Sequence, residues 1–261
     1  MQGYGIKELN DHKGDEGKRP RCPKIISLVP SITELLYHLD IQNQIVGVTK
    51  FCIHPKSFTK SIPKIGGTKN FKFDVIDKLK PDLIIGNKEE NYKEGIEHLQ
   101  NKYSVLLTDI KTIPEAIQMI SDIGAITNRN DQAENIIDQI NQGLLNLQKK
   151  EAKKVLYLIW NNPYMAAGGD TYISHVMETL GWENALKNVP RYPTLTPKKI
   201  AALKPDLILL SSEPFPFKEK HKKELEAVIP TSKIHLVDGE MFSWYGSRII
   251  QALSYFNKLQ F

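Results

Sequence analysis

The sequence predicts an α/β protein built from two similar lobes, and three observations lead to this prediction. A phrase of sequence, Ile76–Ile85, returns 124 positions later as Ile200–Leu209. Each copy reads as a helix end, a Lys-Pro stop and an apolar run suited to a buried parallel strand. Between the copies, residues 113–154 show no strand pattern, and a chain of 261 residues is long enough for two cores.

The first lobe is predicted to cover residues 24–110, after a polar and flexible lead-in over residues 1–23. Ser31 and Glu34 have the spacing of a capping box, which predicts the start of the first helix. The predicted elements are a strand over Lys24–Val29, a helix over Ile32–Leu39, a strand over Ile45–Thr49, the repeated helix and strand over Asp74–Gly86, and a further helix and strand that end near Asp109.

Residues 111–153 are predicted to form a helical linker. Pro114–Thr127 is expected to be one helix and Asp131–Lys153 a longer one, with apolar residues at helical spacing. At about 1.5 Å per residue the longer helix would extend roughly 34 Å, the width of a small domain. This length favours a rigid spine over a flexible hinge.

The second lobe is predicted to cover residues 154–261 and to follow the same plan. Its predicted elements are a strand over Val155–Trp160, a helix that follows the turn at Gly168 and ends at Leu180, the repeated helix and strand over Pro197–Leu210, a strand over Ile234–Val237, and a closing helix from Arg248.

The composition is that of an ordinary globular protein, with 41% hydrophobic and 25% charged residues and a net charge of +5. Lysines are scattered, so nucleic acid is not expected as a partner, and no apolar stretch approaches the roughly 20 residues that span a bilayer. The polar N-terminus lacks a signal-peptide pattern. We expect a cytoplasmic protein if the chain is native as given, and a periplasmic or envelope protein if an export signal has been trimmed. Cys22 lacks a lipidation context, and Cys22 and Cys52 do not make a disulfide framework.

The loops that follow the predicted strands are rich in aromatic residues. In an open α/β sheet these loops carry the ligand contacts, and aromatic-lined clefts with few polar groups are the usual small-molecule sites. We therefore expect a ligand platform in a cleft between the lobes, with satellite packing of the rings as the alternative. The loop aromatics are Phe51, Trp160, Tyr164, Phe215, Phe217, Phe242, Trp244 and Tyr245.

Two polar groupings admit other chemistry. Cys52 and His54, with Glu89–Glu90, could bind a metal or supply an axial ligand to a chelated one; the alternative is a buried cysteine and an exposed histidine. Glu89, Glu90, Glu213 and Glu240 could act as acid and base, although carboxylates are usually surface groups. The sequence contains no nucleophile elbow, phosphate loop or dinucleotide fingerprint, so catalysis is not expected.

The chain resembles the helical-backbone (class III) solute-binding proteins that serve ABC-type uptake of vitamin B12, ferric siderophores and haem. The resemblance covers about Lys24–Leu259 and is carried by Ile25–Ser31 with Thr33-Glu34-Leu35, by Val46-Gly47-Val48, by both Leu-Lys-Pro-Asp-Leu units, by Gly181–Asn184 and by Ser247-Arg248-Ile249. It implies two Rossmann-like three-layer lobes joined by a long backbone helix.

The vitamin B12 receptors within this class suggest which residues contact the ligand. Phe51 and Tyr192 stand where those receptors have aromatic residues, and Glu240 and Trp244 correspond to contacts in the last loop. Thr68 and Asn87 replace expected tryptophans. The contacts expected from this resemblance and from the loops are Phe51, Thr68, Asn87, Glu90, Trp160, Tyr164, Tyr192, Glu240, Phe242 and Trp244.

The resemblance also implies a docking contact for a membrane transporter on each lobe. The receptors place a glutamate at the start of each repeated helix, whereas this chain has Asp74 and Lys198. The lysine reverses the charge, so we expect either a diverged ABC permease as the partner or a role away from the membrane. We also expect the protein to be a monomer.

We therefore expect a non-catalytic protein, without an intrinsic cofactor, that holds a metal-containing small molecule. A corrinoid is favoured, followed by haem and a ferric siderophore. The alternative is a cytoplasmic enzyme or chaperone that acts on a metal or tetrapyrrole through Cys52, His54 and the glutamates.

Overall fold

A computed structural model describes residues 23–261. Residues 1–22, which include Cys22 and nearly all of the predicted lead-in, lie outside the described residues. The chain forms two compact units, each made of three segments. Unit 1 contains the residues up to Ile110 together with Ile117–Ile137 and Tyr245–Ser247, and unit 2 contains Lys111–Ala116, Asp138–Trp244 and Arg248–Phe261.

The sheet of unit 1 has four strands in the order β2-β1-β5-β6, all parallel. The bounds along this part of the chain are β1 (Ile25–Ser27), α1 (Pro30–His38), β2 (Ile45–Val48), α2 (Lys56–Thr59), β3 (Gly66–Gly67), β4 (Asn70–Phe71), α3 (Phe73–Leu79), β5 (Leu83–Asn87), α4 (Lys93–Gln100), β6 (Ser104–Thr108), α5 (Ile113–Ile126) and α6 (Asn130–Leu145). Strand β5 is buried along its whole length, as its apolar sequence predicts.

The sheet of unit 2 has the order β10-β8-β7-β11-β12, with β9 also pairing with β7. Strands β7, β11 and β12 are parallel, and β8 runs antiparallel to β7. The bounds are β7 (Lys154–Trp160), β8 (Tyr164–Ala166), α7 (Tyr172–Thr179), β9 (Glu183–Asn184), β10 (Thr194–Leu195), α8 (Pro197–Leu203), β11 (Leu207–Ser211), α9 (Glu219–Val228), β12 (Lys233–Val237), α10 (Gly239–Ser243) and α11 (Arg248–Lys258). The two repeated strands, β5 and β11, belong to separate sheets, so the predicted fold class is confirmed.

The repeated phrase forms the same structure in both units, which we call the Lys-Pro-Asp clamp (residues 80–82 and 204–206). Lys80 and Lys204 end α3 and α8 in the left-handed region, each with φ of 49°. The Asp82 carboxylate then accepts a hydrogen bond from the backbone N–H of Lys24 at 2.7 Å. Asp206 does the same for Lys154, also at 2.7 Å. The clamp therefore ties each repeated unit to the start of the first strand of its own sheet.

The predicted capping box at Ser31 and Glu34 is wrong. Helix α1 begins at Pro30 with Val29 as its N-cap, so both residues lie inside the helix and are buried. Proline suits the first helical position because its fixed φ matches the helix and its missing N–H is not needed there. The position of Pro30, and not the Ser-x-x-Glu spacing, therefore determines where α1 begins.

The long linker helix was predicted to reach Lys153, but α6 ends at Leu145. The following residues form hydrogen bonds with other parts of unit 2 that a helix would not allow. Asn257 Oδ1 accepts from the N–H of Gln148 at 2.9 Å, and the N–H of Lys150 donates to Leu180 O at 2.8 Å. At 16 residues, α6 is about 24 Å long.

Unit 1 receives a short segment from late in the chain, Tyr245–Ser247. Tyr245 is buried, and the Ser247 hydroxyl lies 2.8 Å from His38 Nδ1 on α1. Gly246 has φ of +86°, which a residue with a side chain rarely adopts, and its Cα faces Leu35. Three consecutive residues near the C-terminus thus complete the packing around α1.

Candidate functional site

In unit 1, two buried amides hold the loops at the carboxyl ends of the strands. Asn91 Oδ1 accepts from the N–H of Asn87 at 2.9 Å, and Asn91 Nδ2 donates to Leu28 O and Thr68 O. Asn87 Oδ1 accepts from the N–H of Glu89 at 2.8 Å, and its Nδ2 donates to Thr108 Oγ1. Asn87 is only 1% exposed. Its side chain therefore shapes this loop, in which Lys88 is exposed and Glu89 and Glu90 are half-buried.

The loop after β2 presents an exposed ring. Phe51 is 49% exposed, and Lys50 Nζ lies 5.0 Å from the centre of its ring. The neighbouring Ile53 is also exposed, and Thr68 lies half-buried in the turn between β3 and β4. Unit 1 thus offers an apolar surface with a cation beside it, which suits a ligand that has a flat apolar face and polar edges.

Cys52 does not have the surroundings of a metal ligand. Its thiol is buried, and Thr33 Oγ1 lies 3.1 Å and Thr49 Oγ1 3.2 Å from Sγ. Burial raises the pKa of the Cys52 thiol, which disfavours the thiolate that binds metal. His54 is half-buried, and residues 23–261 contain no group of three His, Cys, Asp or Glu side chains that could hold a metal ion. The predicted Cys52 metal contact does not fit this environment.

In unit 2, a row of aromatic rings follows the strand ends. Trp160, at the end of β7, is 40% exposed and meets Phe215 edge-on with 5.7 Å between ring centres. Phe215 in turn packs on the buried Phe217 at 4.9 Å. Trp160 is therefore supported from below and open above, as a stacking platform requires.

The two remaining aromatic candidates of unit 2, Tyr164 and Tyr192, lie in or next to the paired strands β8 and β10. Tyr164 lies in β8, where sequence analysis expected a loop, and packs half-buried against the core. Desolvation raises the pKa of Tyr164, so its hydroxyl is a hydrogen-bond donor at neutral pH. Tyr192 is half-buried just before β10.

The loops after β11 and β12 are joined by a polar cluster around Glu213. Glu213 Oε1 accepts two hydrogen bonds, one from Trp244 Nε1 and one from Ser243 Oγ, each at 2.8 Å. Burial first, and then the nearby charge of Glu240, raises the pKa of Glu213. Glu240 also pairs with Arg248 at 3.3 Å, and the Arg248 guanidinium lies 5.0 Å from the Trp244 ring centre.

The sequence indicates Glu213 only as a possible catalytic acid or base and indicates no role for Arg248 at the site. A glutamate two residues after a strand end, with a tryptophan in the next strand-end loop, is a sequence signal that could have indicated the pairing. Nothing in the sequence reveals which side chain accepts the indole hydrogen. Glu240 and Trp244, both predicted as contacts, are brought together through Arg248.

The prediction that Phe242 contacts a ligand does not fit its position. Phe242 is fully buried, and its ring packs against Tyr157, Tyr255 and Phe256. It lies on α10, which turns its side chain into the core of unit 2. Phe242 is a core residue.

The two residues expected to contact a transporter occupy equivalent positions. Asp74 is the second residue of α3 and Lys198 the second of α8, and both are exposed. Helices α3 and α8 are the two copies of the repeated helix. The same position of the repeat is therefore negatively charged in unit 1 and positively charged in unit 2.

Two units with mainly parallel central strands, buried loop supports and open aromatic rings at the strand ends are typical of a solute-binding protein. The chain belongs to the family described as periplasmic binding protein, whose family model matches residues 25–232. It is therefore a non-enzymatic binding protein. Within residues 23–261, no helix has the length and apolar character needed to cross a membrane.

The chain is also similar in sequence or in fold to three known proteins. An uncharacterized ABC transporter substrate-binding lipoprotein of Bacillus subtilis is 26% identical over 251 residues, which are 90% of this chain and 78% of the relative. The structure of the periplasmic vitamin B12 binding protein of Vibrio cholerae is similar with a TM-score of 0.77 and 18% identity, covering 90% of this chain and 96% of that one. The haem complex of a Staphylococcus aureus protein has a TM-score of 0.75 and 20% identity, with 90% and 97% covered.

Proposed function

We propose that this protein binds a large, metal-containing small molecule for ABC-type uptake, with a corrinoid favoured and haem or a ferric chelate next. The observation that carries the proposal is the pair of open aromatic rings, Phe51 and Trp160, on the strand-end loops of the two units. Rings stack on the flat faces of macrocycles, and each contributes apolar contact area at little entropic cost. The metal complex is cargo and is not a resident cofactor.

The names of similar proteins support the same ligand class. Relatives include vitamin B12-binding proteins, one of them from Pectobacterium carotovorum, and similar folds include haem-binding proteins. The proposed contacts that keep accessible surface are Phe51, Thr68, Glu90, Trp160, Tyr164, Tyr192 and Glu240; Trp244, also proposed, is only 7% exposed. Asn87 supports them by holding its loop.

A spectroscopic titration tests the ligand class. The purified protein is titrated separately with cyanocobalamin, haemin and a ferric hydroxamate chelate, and visible absorbance is recorded. We expect saturable binding, at one equivalent, of at least one of the three, with cyanocobalamin tightest. If none of them binds saturably at micromolar concentrations, the proposed ligand class is wrong.

We also propose that the transporter partner is a permease with a changed docking contact for α8. The resemblance to vitamin B12 receptors implies an acidic residue at the start of each repeated helix, and Lys198 reverses that charge. A lysine facing an arginine across an interface costs up to several kcal/mol. The partner surface that meets α8 is therefore expected to carry an acidic group.

A further inference from the structure

The Trp244 side chain is fixed both at its edge and on its face. Its Nε1 donates to Glu213 Oε1 at 2.8 Å, and the Arg248 guanidinium lies 5.0 Å from its ring centre. Arg248 is itself held by Glu240 at 3.3 Å and by Gln251 at 3.2 Å. A buried indole N–H requires an acceptor, because leaving it without one costs about 1–3 kcal/mol. One carboxylate oxygen satisfies this requirement.

Glu213 is in turn anchored to the strand that precedes it. Its N–H donates to Ser211 Oγ at 3.3 Å, and that hydroxyl also bonds to Glu213 O. Tyr157 in the centre of the sheet donates to the same Ser211 Oγ at 3.1 Å. Hydrogen bonds therefore connect Tyr157, in β7, to Ser211 and Ser211 to Glu213. Because Glu213 is fixed in this way, its carboxylate oxygen can fix the position of the Trp244 indole. Trp244 itself follows α10 and belongs to a different strand-end loop.

We infer that Glu213 is a positioning residue that sets the orientation of the Trp244 indole, and through it the affinity for the ligand. The orientation can be measured without any ligand, whereas the effect on affinity rests on the proposed function. A glutamine at position 213 keeps an acceptor oxygen and can hold the indole, but an alanine cannot. Because Oε1 is shared by Ser243 and Trp244, the carboxylate also ties α10 to the loop after β11.

The orientation is tested first by NMR of the indole N–H groups in the ligand-free protein. The chain has three tryptophans, so three indole signals are expected, and Trp244→Phe assigns the relevant one. We expect Glu213→Ala to shift the Trp244 signal and to raise its hydrogen-exchange rate about tenfold, with Trp160 and Trp182 unchanged. Glu213→Gln should retain the signal. Glu226→Ala, on the exposed face of α9, controls for the loss of a carboxylate from unit 2.

The effect on binding is then measured with whichever of cyanocobalamin and haemin binds the parent protein. We expect Glu213→Ala to raise Kd about tenfold and Glu213→Gln less than threefold. In Trp244→Phe the indole hydrogen bond is already absent, so adding Glu213→Ala should have little further effect. This non-additivity is the signature of two residues that act through one contact.

Each result decides a separate statement. Unchanged exchange at Trp244 in Glu213→Ala overturns the positioning role, and changed exchange with an unchanged Kd overturns its effect on affinity while the proposed function stands. If neither probe binds the parent protein, the proposed ligand class fails and the indole signal alone decides the positioning role. If Glu213→Ala does not fold, the pH titration of the Trp244 signal replaces it. The signal should follow the ionisation of Glu213, which Asp238, Glu240 and Tyr157 also face, and should not do so in Glu213→Gln.

Discussion

At the scale of single residues, Phe51 is a position where a substitution is expected to change ligand binding without changing the stability of the protein. About half of its surface is exposed in a loop, and the Lys50 amine lies 5.0 Å from its ring centre. Removing such a ring costs the folded protein little, because little apolar surface is buried there. The exposure of Phe51 beside the exposed Ile53 supports the proposal that this loop contacts a ligand.

Phe51→Ala is therefore expected to weaken binding of the preferred probe by on the order of 2 kcal/mol, about thirtyfold. Its urea midpoint should stay close to that of the parent protein. Val228→Ala removes an equally exposed apolar side chain from α9 and should change neither quantity. Equal binding by Phe51→Ala and the parent would show that this ring lies outside the ligand site.

Glu213 gives the stability of the protein a specific pH dependence. Its native pKa is raised above the ordinary value near 4.5, first by burial. The protonated form is then favoured by folding, so its contribution is fully present below the unfolded pKa and is lost as pH rises through the native pKa. Because glutamine stays neutral, Glu213→Gln should lack this loss.

We therefore expect the stability of Glu213→Gln relative to the parent to increase as pH rises from about 4 towards 7. Urea unfolding at several pH values measures this difference. Glu178→Gln, at an exposed position of α7 in the same unit, should leave the pH dependence unchanged. A parent and Glu213→Gln with parallel pH profiles would contradict the raised pKa.

At the scale of elements, the Lys-Pro-Asp clamps are the most regular feature of the fold. Asp82 and Asp206 each accept a backbone N–H from the first strand of their unit at 2.7 Å. A hydrogen bond to a charged group contributes about 1.5–3 kcal/mol. The identical geometry explains why the same phrase recurs in the sequence.

Asp82→Ala and Asp206→Ala should each lower the free energy of unfolding by about 1.5–3 kcal/mol. Asp82→Asn and Asp206→Asn keep an acceptor oxygen without the charge and should cost less than the alanines. Denaturant unfolding of the four variants measures the series. Alanine variants as stable as the parent protein would mean that the carboxylate hydrogen bond contributes nothing to stability.

The repeated elements could be predicted because local signals agree there: helix, left-handed lysine, proline and apolar strand all follow from residue type. The end of α6 could not, since it depends on Asn257, more than a hundred residues away in sequence. The same distinction holds at the site. The exposure of Phe51 and Trp160 follows from their place at strand ends, whereas the burial of Phe242 and the pairing of Glu213 with Trp244 depend on tertiary packing.

At the scale of the whole molecule, partner recognition is tested at the start of α8. Binding to a vitamin B12 permease that uses arginine contacts should be absent or weak with Lys198 and should improve at least tenfold in Lys198→Glu. Lys199→Glu, the adjacent exposed residue, controls for net charge. Tight binding by the parent protein would show that Lys198 does not face those arginines.

Gly246 connects distant parts of the sequence within unit 1. Gly246→Ala forces a side chain into a positive-φ position, which costs about 1–3 kcal/mol. Hydrogen exchange should show faster exchange in α1, which packs against this segment. Gly181→Ala, a change at a similar φ in unit 2, should leave α1 unaffected. If both variants change α1 equally, the segment does not support α1 specifically.

The segment Tyr245–Ser247 also constrains when unit 1 can complete its folding during synthesis, because the rest of that unit lies before residue 138. Domains usually fold as they emerge, with the N-terminal one first. Here unit 1 lacks its buried Tyr245 and the Ser247 contact to His38 until residues 245–247 have been synthesised. A nascent chain that stops before residue 245 therefore contains no completed unit, and unit 1 cannot reach its final stability before most of unit 2 has also been made.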